Sequence, residues 1–228
     1  MNPILLAAAV AVIGAAVVAV SAREARTVIL ALAVALLVSP VITDPVAAPL
    51  GLAARLVGAI LGAYLLWIAA RDDASLRLAH ATTAGSRIGW PAELLVAAAA
   101  GVVGVGAHGL GAPAGGSDIA SAAGFALAAL AVLPVLTGRD LLRIGIGCLL
   151  LVDAGLLVRT GLGGTPGDLE HLLASTLLVA IAACAAALGR AARLDPPGGF
   201  DLAGEGPTRS RRQPDAHPMD PDERAARP

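Results

Sequence analysis

The chain has 228 residues, of which 57% are hydrophobic and only 14% charged. A soluble domain carries about 25% charged residues, so the composition excludes an ordinary water-soluble fold. The formal net charge of −1 supplies no basic stripe to meet phosphates, which excludes nucleic acid as a partner.

The apolar residues gather into seven runs, at about 3–20, 28–42, 48–70, 92–107, 119–136, 141–158 and 172–188. A hydrocarbon core of ~30 Å takes about 20 helical residues at ~1.5 Å each. The runs therefore predict an all-α integral membrane protein with about seven transmembrane helices in a domain covering 1–194. From Asp195 the composition turns to Pro, Arg, Asp and Gly, and 195–228 is expected to be a disordered cytoplasmic tail.

No basic residue precedes the first run, whereas Arg23 and Arg26 follow it. That is the wrong charge order for a cleaved signal, so an uncleaved span with its N-terminus outside is expected. Pro40 breaks the second run late. The third holds Arg55 and the pair Gly58-x-x-x-Gly62, whose small residues let another helix approach closely. Tyr64 and Trp67 stand near the far end of that run, and Trp90 precedes the next. Their amphipathic rings favour the headgroup level and mark one interface.

Residues 71–87 are polar and form the longest internal loop. Glu93 opens the fourth run, and a Gly/Pro-rich turn over 109–118 leads to the fifth, which contains Pro134. The sixth contains Asp153, and the seventh contains no carboxylate.

Charge placement tests this order independently. All sixteen basic residues are Arg. With the N-terminus outside, fourteen fall in inside segments, Arg159 alone falls in an outside loop, and Arg55 lies within a span. The positive-inside rule expects that asymmetry.

Chemistry-bearing groups are few. Cys148 and Cys184 lie within apolar runs, as small buried hydrophobes do. His80, His108, His171 and His217 are scattered without metal-ligand spacing. The residues point to no metal site, no cofactor and no catalytic nucleophile. The intramembrane polar candidates are Asp153, Arg55 and Glu93. Arg55 stands about seven residues, and Asp153 about five, below the outer ends of their runs, at similar depth on one side. Each charge alone costs ~2.5–3.5 kcal/mol near a helix centre, so a contact between them is the sharp expectation. Separate arrangements, with Arg55 reaching the headgroups and Asp153 hydrogen-bonded or protonated, are the alternative. Glu93 reads as a solvated helix-start acid or, less simply, as part of a proton relay.

The stretch 137–194 carries a family resemblance. Arg139-Asp-Leu-Leu-Arg143, Ile146-Gly147 and Val152-Asp153-Ala154, followed by a short loop and a last span, resemble the K-type subunit of complex I. There the pattern runs R-N-L-L, I-G-x-E and I-N-A. The arrangement is also similar to the C-type subunit of the Mrp antiporter. In length and extra leading spans it is more similar to the E-type membrane subunit of hydrogenase-4 or formate hydrogenlyase. The chain departs from these patterns at Leu149 and Val152, where the relatives have a glutamate, and at Asp153, where they have Asn. The acid of their last span falls on Cys184 or near Thr176. The resemblance implies a non-catalytic membrane subunit of an oxidoreductase complex, in a cell membrane beside antiporter-like subunits, assisting proton or cation translocation. A stand-alone small-solute exporter or permease is the alternative reading.

Overall fold

The structure is a computed structural model that describes residues 3–22, 24–43, 48–77, 90–107, 117–137, 141–164 and 166–194. The side chains of 72–77, 90–93, 107, 137 and 192–194 lie outside that description, as do residues 78–89, where most of the expected loop falls, and the expected tail at 195–228.

Among the described residues seven α-helices follow one another: α1 (Pro3–Ser21), α2 (Ala25–Val38), α3 (Pro49–Arg77), α4 (Trp90–Ala107), α5 (Asp118–Thr137), α6 (Leu141–Gly163) and α7 (Asp168–Leu194). A 3₁₀ turn, Ser39–Ile42, extends α2. Stretches within α1, α2 with its 3₁₀ turn, α3, α5, α6 and α7 are each long and apolar enough to cross a membrane, and α4 contributes a shorter apolar stretch, Leu94–Gly106. The surface agrees with that assignment. Leu136, Val102 and Leu95 are 77%, 73% and 70% exposed, which water would penalise and lipid does not. The chain is a multi-pass membrane protein.

The helices extend beyond their apolar runs. The largest difference is in α3, which runs to Arg77 rather than 70, so that 71–77 is helix where a loop was expected. Helix α7 runs to Leu194 rather than 188, and α6 reaches Gly163 rather than 158. The last turn of α6 is closed by Gly164 at φ 80°, a left-handed conformation that side chains resist. Asp153 thereby moves from near a helix end to the middle of a helix, ten residues (roughly 15 Å) from Gly163.

Small residues decide which helices touch. On α6, Gly147, Ala154 and Gly161 recur every seven residues along one face. A Cβ added at Gly161 would lie 2.4 Å from Ser121 Cβ, one at Gly147 would lie 3.0 Å from Ala131 O, and one at Gly124 would lie 3.0 Å from Ala154 O. This order makes α5 and α6 antiparallel, with backbones in close approach along the whole seam. Gly104 brings α4 equally close to α5 at Ala126.

The Gly58/Gly62 face of α3 meets α7, against Ser175 and Ala182, and Gly51 meets His171. Residue numbers rise together along this contact, so α3 and α7 run in the same direction. An even number of reversals between them fits one crossing per helix. Leu32, Leu36, Ile42, Leu66, Leu127, Ile146, Leu149 and Leu178 fill the space between the helices. Leu149 is thus core.

Candidate functional site

The polar site begins at a proline. Pro40 has no N–H to donate to Leu36 O, four residues earlier, so the α-helix cannot continue regularly there. The chain tightens into the 3₁₀ turn instead, and Thr43 Oγ1 donates to Pro40 O at 2.9 Å at its end. Ser39 is left at the switch with its hydroxyl turned inward. Its Oγ lies 3.3 Å from Leu36 O and 2.9 Å from Asp153 Oδ1. A hydroxyl carries one proton, and the shorter, charge-assisted bond to the carboxylate is the stronger of the two.

Asp153 projects from the middle of α6 and is fully buried, flanked along its helix by buried Leu149, Leu150, Ala154 and Leu157. Arg55 reaches it from α3, six residues (roughly 9 Å) along that helix from Pro49. Its Nη2 donates both to Asp153 Oδ1 and to Ser39 Oγ, the latter at 3.0 Å. Arg55 and Asp153 form an ion pair in which the guanidinium is 4% exposed and the carboxylate 0%. Of the two arrangements the sequence left open, the structure therefore has the pair and not separate placements of Arg55 and Asp153. The long Arg side chain spans the difference in depth that the extension of α6 introduces.

Three elements thus converge on one carboxylate oxygen. The other atoms are less well served. Asp153 Oδ2 and Arg55 Nη1 are buried and have no hydrogen-bond partner among the described residues. An unsatisfied buried polar atom costs ~1–3 kcal/mol, more when charged, so apolar packing alone would not retain these groups. A buried carboxylate oxygen without a partner among the described residues can act as a proton acceptor.

His171 belongs to the same neighbourhood. It lies in the first turn of α7, is 4% exposed, and neither ring nitrogen has a partner among the described residues. Ser175, one turn further, donates its hydroxyl to His171 O at 2.7 Å. Sequence reasoning passed over both Ser39 and His171. Ser39 had a signal, a hydroxyl directly before a proline inside an apolar run. His171 had none beyond its place at the start of a span.

Glu93 lies in the first turn of α4, but its side chain is outside the described residues. Cys148 is partly buried and Cys184 exposed, and both are free thiols. Among the described residues no three His, Cys, Asp or Glu side chains gather as metal ligands would. On the surface, Arg159 and Glu170 join the end of α6 to the start of α7 at 3.5 Å. Arg71 lies 4.8 Å over the Trp67 ring, next to Tyr64, in the arrangement that suits a headgroup-level belt.

Comparison with protein-family models, curated proteins and solved structures finds no match to this chain.

Proposed function

We propose that the chain is a non-catalytic membrane subunit of a hydrogenase-4- or complex I-like oxidoreductase assembly. In this reading it packs beside antiporter-like subunits and assists proton or cation translocation, in a cell membrane with its N-terminus outside and its C-terminal tail in the cytoplasm. The observation that carries the reading is the buried Arg55–Asp153 pair. Its acid stands in the segment 137–194 that resembles the K-type and hydrogenase-4 subunits, one residue after the position of the hydrogenase-4 glutamate. Intramembrane ionisable residues with unsatisfied atoms mark ion or proton paths more often than they mark stability. The wide apolar faces of α3 and α4 suit contact with other helices as well as lipid. A permease would want a polar cavity at mid-depth. Among the described residues, a groove between α1 and α4 is lined by the apolar residues Ile13, Val17, Ala98, Gly101, Val102 and Val105.

Purification in mild detergent tests the assembly: hydrophobic partner subunits should accompany the chain. A monodisperse monomer that transports a solute in liposomes overturns the reading. Orientation is tested by cysteine labelling at Ser117 and Ser210 after both native thiols are replaced. An outside-only reagent should modify position 117 alone, and the reverse result sinks the topology.

A further inference from the structure

Arg55 stands between two titratable side chains. On α3 it shares a face with Gly51 and Gly58, four residues after one and three before the other. Both glycines touch α7. A Cβ at Gly51 would lie 2.7 Å from the His171 ring, and one at Gly58 would lie 2.9 Å from Ser175 Cβ. Arg55 therefore leaves α3 within the α3–α7 contact, one turn from His171, and extends to Asp153 on α6 and Ser39 on the 3₁₀ turn. The charged groups nearest His171 in chain and fold include Arg55, one turn from Gly51 on α3, and Asp168 and Glu170 in the first turn of its own helix. Of these, Glu170 is shared with Arg159 of α6.

We propose that Asp153 and His171 form a single two-station proton site across the Arg55 guanidinium, holding one proton at a time. The inference deepens the proton-moving part of the function proposed above and rests on it. Both stations are buried, and among the described residues neither Asp153 Oδ2 nor either ring nitrogen of His171 has a partner. The carboxylate oxygen and the one unprotonated nitrogen of the imidazole can therefore each take a proton. With Arg55 charged and Asp153 ionised the site is neutral. One proton, taken from water on either station, makes it a monocation. A second would leave the guanidinium and an imidazolium buried together with no counter-charge, where like charges repel strongly for want of water. Binding is a simple protonation: a lone pair on oxygen or nitrogen takes the proton, and release returns it to water. His171 stands three residues from the start of α7, whereas Asp153 lies mid-helix. A proton arriving from the end where α3 and α7 begin thus meets His171 first.

The test uses the full-length chain in lipid nanodiscs across a pH series. Nitrogen NMR counts the His171 imidazolium, assigned with His171→Gln, and infrared spectroscopy follows the protonated carboxyl of Asp153, assigned with Asp153→Asn. In the wild type the two populations should sum to no more than one proton. In Arg55→Gln, which removes the fixed cation, both stations should fill together. His171→Gln should make the Asp153 carboxyl band appear at about tenfold lower proton concentration, and this arm stands even if Arg55→Gln fails to fold. Full protonation of both groups together in the wild type overturns the proposal, as does an Asp153 band that His171→Gln leaves unmoved. Such a result with partner subunits still co-purifying removes the two-station site alone. Absence of partners with the shared proton intact removes the assembly reading alone.

Discussion

One helix, α6, takes part in two contacts of opposite character. Toward α5 it presents Gly147, Ala154 and Gly161, and the seam is tight, with backbone nearly on backbone. Toward α3 and the 3₁₀ turn it presents Asp153, held on one oxygen by Arg55 and Ser39, with the other oxygen unpartnered among the described residues. The first contact gains from dispersion over many atom pairs and offers no room for adjustment. The second rests on a few strong, directional interactions that offset a desolvation penalty of several kcal/mol per ion. Rigidity on one face of α6 holds the carboxylate in place on the other. The proton site proposed above needs that fixed frame beside an incompletely satisfied group.

The sharpest way to break this division is to unbalance the ion pair. Asp153→Asn leaves Arg55 buried without a counter-charge and should destabilise the chain by ~3–5 kcal/mol in reversible unfolding from mixed micelles. The double variant with Arg55→Gln should recover part of the loss, and strictly additive single effects would mean that the pair is not coupled. The tight seam comes next. Gly161→Ala puts a Cβ within 2.7 Å of Ser121 N and 2.8 Å of Ser121 Cα, backbone atoms that cannot swing aside, so a loss of ~1–3 kcal/mol is expected. The same substitution at Gly155, which meets nothing within 4 Å, should be nearly silent in the same assay. A comparable loss at both positions would mean that the seam is not specially tight.

Ser39→Ala sharpens the other side. It removes one donor to Asp153 while leaving the ion pair, and should cost about 1 kcal/mol. A loss as large as that of Asp153→Asn would make Ser39 the principal support of the carboxylate. The smallest effect belongs to the surface. Arg159 and Glu170 are 49% and 44% exposed, and neutralising either should change stability by under ~1 kcal/mol, less at high salt.

How much of this was legible in sequence depends on the range over which the physics acts. The Gly58-x-x-x-Gly62 face could be read as a helix contact, because spacing on one helix is a local property. Its partner could not, since Ser175 and Ala182 lie more than a hundred residues away. The heptad of Gly147, Ala154 and Gly161 was equally present in the sequence, but in a chain with 27 glycines such a pattern stands out only when a partner helix is seen against it. Arg55 and Asp153 could be suspected of meeting, because each is expensive alone in hydrocarbon. Ser39 and His171 could not, because a lone hydroxyl or imidazole in an apolar helix is inexpensive enough to need no partner.

The sequence by itself determined that this chain lives in a membrane, how many helices it forms among the described residues and roughly where they lie, although α3, α6 and α7 run five to seven residues beyond their apolar runs. Those properties follow from hydropathy, peptide geometry and the avoidance of bare backbone in lipid, which act within one segment. The tertiary structure alone decided that α3 lies parallel to α7, that α6 places its small face on α5, and that Ser39, Arg55, Asp153 and His171 share one neighbourhood. Lipid is as apolar as the helix surfaces, so hydrophobicity cannot choose among partners. Steric fit of small residues and the pairing of a few buried polar groups make that choice.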